Sequence, residues 1–182
     1  MGWAYSVANV ASPRLFNETF VNACNEKEDS FQEEGLRQLH QWQLWQEELE
    51  SGRELSGSLQ DKCYDAFTSE APQSSALKSD VMKVIKAMGL RLFEKDMTES
   101  GYRLDAVIVL GDKEVGLEID GPDRFIGKKP KGRTILKRRQ VHNVDGIRIF
   151  SVPYWEWIEM KGNREKKQHY LHKLLNSNAL KT

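Results

Sequence analysis

The sequence predicts an α/β domain over residues 74–176, ordered α-β-β-β-α-β-α, behind an α-helical segment over residues 1–70. Three observations carry this division. The first is charge. The 182 residues are formally neutral, but up to Pro72 there are 5 Lys+Arg against 13 Asp+Glu, and beyond it 22 against 14. An acidic front part therefore precedes a basic remainder, the pattern of an anion-binding module joined to an acidic one. The second is periodicity. Apolar residues recur at helical spacing until Gly89 and then gather into short strand-like runs. The third is the stretch Thr68–Ser75, which has no periodicity, is rich in turn formers, and lies where the charge changes sign.

In the front part, Leu15, Phe16, Thr19, Phe20 and Ala23 fall on one helical face. A second helix is expected over Phe31–Leu49, with Leu36, Leu39, Trp42, Trp45 and Leu49 three or four apart. After the turn cluster Ser51-Gly52 to Ser56-Gly57, Ser58 is a candidate cap for a third helix carrying Leu59, Cys63, Ala66 and Phe67. Short helices joined by polar turns suggest the end of a helical repeat array. The helical start at Met1 and the lack of a transit peptide read as a piece of a longer repeat protein. Gly2 and Ser6 fit a myristoylation pattern, but the aromatic residues around them favour a packing surface.

In the basic part, Ser74 or Ser75 caps a helix with Leu77, Val81, Val84, Ile85 and Met88 on its apolar face, and Gly89 ends it. Strands are expected over Leu90–Lys95, Arg103–Leu110 and Glu114–Asp120, the last two joined at Gly111-Asp112-Lys113. A basic segment and helix then run from Gly127 to Val144. Asp145-Gly146 turns the chain into a strand over Ile147–Val152, and a final helix starts at Asn163 with Tyr170, Leu171, Leu174 and Leu175 as its stripe. This order suits a small sheet flanked by helices. Cys24 and Cys63, the only cysteines, are expected to be reduced and packed on helix faces. No apolar run approaches the length of a membrane span, so a membrane partner is not expected.

Three carboxylates converge in this arrangement. Asp105 opens one strand, and Glu118 and Asp120 lie on one face of its neighbour. Such a trio repels itself unless neutralised. A Mg²⁺ or Mn²⁺ ion is one solution. An ion-pair network with Lys137, Arg133 or Arg138 that closes the sheet end is the other. Seven basic residues and no acidic one follow between Lys128 and Arg139: Lys128, Lys129, Lys131, Arg133, Lys137, Arg138 and Arg139. The stretch Lys128–Arg133 reads as a flexible loop leading into a helix opened by Gly132 or Thr134, a natural phosphate site. Beyond the last strand, Tyr154 and Trp155 offer faces for unpaired bases, while at least one of Trp155 and Trp157 is expected in the core. His169 and His172 read as surface residues.

Three motifs in this order, Leu117-Glu118-Ile119-Asp120-Gly121-Pro122, Gly132-Arg133-Thr134-Ile135-Leu136-Lys137-Arg138-Arg139 and Ser151-Val152-Pro153-Tyr154-Trp155-Glu156-Trp157, resemble the RAP domain. That domain is named for RNA binding and its abundance in apicomplexans. The upstream helices resemble the repeats of octotricopeptide-repeat and FAST kinase-like domain proteins.

The resemblance implies a restriction-endonuclease-like fold. It also implies action in mitochondria or plastids on RNA stability, processing, translation or ribosomal RNA maturation. It maps Asp105 to the first metal-binding acid of the nuclease pattern and Glu118 to the second, and puts Asp120 where that pattern has lysine. Lys137 is a candidate replacement for that lysine. Arg124 stands where many such domains carry histidine, and adds a cation suited to phosphate.

Three functions follow as expectations. The first is an RNA-binding module with no cofactor, holding single-stranded organellar RNA through Arg124, the basic run, Tyr154 and Trp155. The second is an Mg²⁺-dependent endoribonuclease using Asp105, Glu118, Asp120 and Lys137. The third is a scaffold of an organellar ribonucleoprotein.

Overall fold

The computed structural model describes residues 1–69, 74–93 and 97–179. The chain packs as two compact units: Met1–Ala71 with Glu99–Tyr102 and Gly132–Gly146, and Pro72–Thr98 with Arg103–Lys131 and Ile147–Thr182. Residues 132–146, which the sequence groups with the C-terminal strands, thus belong with the N-terminal helices. Part of the expected boundary stretch Thr68–Ser75 lies outside the described residues.

The first unit contains α1 (Gly2–Ala8), α2 (Glu18–Glu26), α3 (Glu33–Glu48), α4 (Gly57–Thr68) and, from further along the chain, α6 (Gly132–Asn143). Asn17 caps α2 by accepting from the Phe20 amide at 3.1 Å. Ser56, not Ser58, caps α4, accepting from the Leu59 amide at 3.3 Å, so this helix begins one residue before the expected cap. The two serines are equivalent by residue type, and the backbone decides between them. Ser56 is extended, as a cap must be, whereas Ser58 is already helical. Phe16, Val21, Cys24, Leu39, Trp42, Trp45, Leu55, Leu59 and Cys63 form the core, in which Phe16 meets Trp45 edge-on at 5.9 Å. Both cysteines are free and buried, and burial pushes their thiols up, Cys63 to about 12. Ser6 is also buried, and its hydroxyl donates to the Gly2 carbonyl.

Polar side chains tie α6 and residues 99–102 into this unit. The Gln41 amide donates to the Tyr102 hydroxyl, which donates to the Gln140 carbonyl oxygen, and the Gln140 amide returns to the Gln41 backbone carbonyl, each at 2.7 Å. Asp145 accepts from the Ser100 amide and hydroxyl at 2.9 and 2.7 Å. Gly101, at φ 87°, would press a Cβ against Thr68, Tyr64 and Phe67, so both its backbone angle and its surroundings require glycine.

The second unit is built on a four-stranded sheet of order β1-β2-β3-β6: β1 (Leu92–Phe93), β2 (Ala106–Leu110), β3 (Lys113–Asp120) and β6 (Arg148–Pro153). The pairs β1–β2 and β2–β3 are antiparallel, and β6 runs parallel to β3. The expected strand Leu90–Lys95 is seen only as β1, and its last two residues lie outside the described residues. Leu110 pairs with Lys113, leaving Gly111-Asp112 as a two-residue turn with φ 63° at Gly111, as a II′ hairpin requires. Ser75 caps α5 (Ala76–Ala87), and α7 (Tyr154–Glu159) and α8 (Arg164–Ala179) follow the last strand. Val81 and Ile85 of α5, Trp157 of α7 and Leu171 and Leu175 of α8 cover Ala106, Ile108, Val115, Leu117, Phe150 and Val152 on one sheet face. The fold is the α/β arrangement the sequence predicts, with helices before it.

Tyr102→Phe is expected to lower stability by about 1–3 kcal/mol, because it strands the amides of Gln41 and Gln140 where water does not replace the lost partner. Urea unfolding of the variant against the parent protein measures it. An unchanged midpoint would mean that this network does not anchor residues 99–102 and α6.

Candidate nucleic-acid interface

Strand alternation puts Glu118 and Asp120 on the sheet face opposite the apolar one, with Ser151 of β6 in register with Glu118. Both acids are buried, Asp120 to 1 % exposure. Asp120 accepts from the Ser151 hydroxyl at 2.5 Å. Asp105, immediately before β2, accepts from the Ile119 amide at 2.8 Å and pairs with Lys78 of α5 at 3.1 Å. The cation at Asp105 is therefore Lys78. Sequence distance concealed it: Lys78 lies on a helix face that reads as solvated until α5 packs across the sheet. Among the described residues, no group of three or more His, Cys, Asp and Glu side chains is arranged to hold a metal ion. Asp105 is engaged by a lysine and a backbone amide, and Asp120 by a serine.

Beyond Asp120 the chain forms a 3₁₀ turn and a hairpin, whose second strand falls within the stretch Lys128–Arg133 expected as a flexible loop. Pro122–Arg124 form a 3₁₀ turn, and β4 (Phe125–Ile126) pairs antiparallel with β5 (Lys129–Pro130). Gly127 and Lys128 make the turn, with φ 61° at Gly127, and the Lys131 amide donates to the Arg124 carbonyl at 2.9 Å to close the base. The signal was present in the sequence as a glycine two residues past Phe125. Pro130, which lacks an amide proton, masked it, although proline is tolerated at a strand edge.

Phe125 is buried, and its ring meets Trp155 edge-on at 4.5 Å and Tyr154 at 6.4 Å. Lys128 Nζ lies 5.8 Å from the centre of the Trp155 ring. Edge-to-face ring pairs contribute about 0.5–1.5 kcal/mol each, and an exposed cation on a ring about 0.5–1. The half-buried Tyr154 and Trp155 thus fasten the hairpin to the start of α7. Lys128 and Lys129 are exposed and Lys131 is half-buried. Arg124 lies 3.5 Å from Asp123.

On α6, in the first unit, the basic residues have different surroundings. Arg133 is exposed, and Lys137 and Arg138 are half-buried. Arg139 is a correction to the expected phosphate contacts. Its guanidinium binds both oxygens of Glu48 at 3.0–3.3 Å and donates to the Ser6 carbonyl at 2.6 Å. That ion pair joins α6 to α3 and occupies the fork that a phosphate would need.

Residues 117–174 match the family model of the RAP domain. This segment is a RAP domain. The match covers about a third of the chain and includes Glu118, Asp120, the hairpin, α6, Tyr154 and Trp155. Its first residue is Leu117, so Asp105 lies outside it. The RAP domain suggests RNA as a partner, and both the basic hairpin and the aromatic strand end lie within it. His169 and His172, also within the RAP domain, are exposed as expected. No helix of the described residues is long and apolar enough to cross a membrane.

Trp157, the third aromatic residue of the RAP strand end, belongs to the core. Its indole donates to Asp80 of α5 at 2.8 Å, and Lys167 of α8 donates to the same oxygen at 2.6 Å. The hydrogen bond from Lys167, then that from Trp157, holds the Asp80 carboxyl below its ordinary value. A depressed carboxyl contributes stability that is fully present above its unfolded pKa, about 4, and is lost as pH falls through the folded value. Asp80→Asn should therefore remove part of the acid-induced loss of stability. Melting temperatures from pH 7 to pH 3 check this, and a variant whose acid limb superimposes on the parent's would contradict it.

Proposed function

We propose that this chain binds single-stranded RNA through the β4–β5 hairpin and acts in a mitochondrial or plastid ribonucleoprotein, in RNA processing, stability or ribosomal RNA maturation. The observation that carries the RNA contact is the state of the hairpin cations. Lys128, Lys129 and Lys131 have no ion pair among the described residues, although the protein holds as many acidic as basic residues. Three cations held on a short rigid turn, without carboxylates to neutralise them, attract a polyanion and release its counterions on contact.

Single strands are favoured over duplexes by the apolar and aromatic groups beside these cations, since unpaired bases expose faces that a duplex stacks away. The organelle and the processing role are supported by the resemblance to RAP proteins. The acidic helices of the first unit are suited to extend the assembly by contact with protein, since their charge opposes that of RNA.

Replacement of Lys128, Lys129 and Lys131 together by alanine tests the reading. Each phosphate contact on a single strand contributes roughly 0.7 to the slope of log affinity against log salt, so the slope should fall by about 2. Binding of a labelled single-stranded RNA across a potassium chloride series measures it. An unchanged slope and affinity would remove the hairpin from the interface.

A further inference from the structure

Strand alternation in the hairpin sends Phe125 inward, and Ile126 outward to 74 % exposure. Apart from Met1, Ile126 is the most exposed large hydrophobic among the described residues. Its surroundings separate it from the others. Ile158, at 61 %, shares its short helix with Glu156 and Glu159, whose charges repel phosphate. Ile126 is paired in register with Lys129, sits beside the turn residue Lys128, and is followed by Lys131 at the base of the hairpin. An exposed apolar side chain paired opposite Lys129, on a hairpin that also carries Lys128 and Lys131, matches the chemistry of a nucleotide, whose base offers an apolar face within a few ångströms of a phosphate. An apolar pocket on a protein partner would need an acidic rim to match the same surface.

The hairpin also has the stiffness that an inserting group needs. The β4–β5 pairing, the Lys131–Arg124 hydrogen bond and the Phe125–Trp155 contact hold its backbone, and a β-branched side chain has few rotamers to lose on binding. We propose that Ile126 is a base-contacting wedge, inserting between neighbouring bases of a single-stranded RNA whose phosphates lie on Lys128, Lys129 and Lys131. The proposal rests on the RNA-binding reading above and assigns the apolar half of that contact, which Tyr154 and Trp155 do not supply alone because they are packed against Phe125. Apolar wedges that part stacked bases are an established device of nucleic-acid binding, and the cost of unstacking is offset by contacts that the opened strand permits.

The test uses the full chain and a twelve-nucleotide single-stranded RNA with 2-aminopurine between two adenosines, a base whose fluorescence is quenched by stacking. Binding of the parent protein should raise the fluorescence. Ile126→Ala should abolish that rise and weaken binding on the order of tenfold, since it removes apolar surface that the base would bury. The salt slope should stay unchanged, because no charge is lost. Ile126→Leu should restore most of the signal. As an exposed position, 126 is not expected to alter the melting temperature. Parent binding with Ile126→Ala matching it in affinity and fluorescence would overturn the wedge and leave the lysine contacts standing. No RNA binding by the parent protein would overturn the RNA reading and the wedge together.

Discussion

The second unit depends on the two-sided pairing of β3. From Val115 to Leu117 this strand is hydrogen-bonded antiparallel to β2 and parallel to β6, so its register has no freedom. With the register set, period two decides every side chain. Val115 and Leu117 enter the core, while Glu114, Gly116, Glu118 and Asp120 take the other face. A one-residue slip would put Glu118 and Asp120 into the apolar layer beneath α5 and α8. Gly116 reinforces the register, because a Cβ there would come within 3.1 Å of Leu104 and 3.3 Å of Ile147.

The end of β3 follows from the same constraint. Asp120 is held by Ser151 of the parallel neighbour, and the backbone before it by Asp105, whose carboxylate takes the Ile119 amide and the Lys78 ammonium. These bonds convert Asp105 and Asp120, two acids that would otherwise repel each other, into fixed points from which the chain leaves the sheet. What leaves it is the basic hairpin, tied down again through Phe125 onto the start of α7, directly after β6. The lysines are thus carried on a turn that leaves the end of β3 and packs through Phe125 against the start of α7.

Local patterns made the element order legible in the sequence, because helix periods, caps and strand alternation are set by neighbours within a few residues. Ser75 caps as expected, the final helix begins next to Asn163, whose side chain accepts from the Lys166 amide, and Trp157 takes the core role expected of one of the two tryptophans. The misreadings share a cause, which is a partner distant in sequence. Arg139 resembles its basic neighbours until Glu48, 91 residues away, takes its guanidinium. Lys78 has no visible role until it meets Asp105. Residues 132–146 follow β3 in the chain and yet pack with helices encoded before residue 69. Ile126 lies in a run dominated by charge, where an apolar residue carries no periodic signal. Its exposure becomes visible only when the hairpin assigns Phe125 to the inside.

The central claim, that the hairpin of the RAP domain is the RNA contact, is tested most directly by crosslinking. The full chain would be bound to a single-stranded RNA containing 4-thiouridine, irradiated and digested, and the attached peptides identified by mass spectrometry. The account predicts crosslinks concentrated on residues 124–131, with Tyr154 and Trp155 as the next sites. Crosslinks confined to the acidic helices of residues 1–69, with the hairpin unmarked, would contradict it.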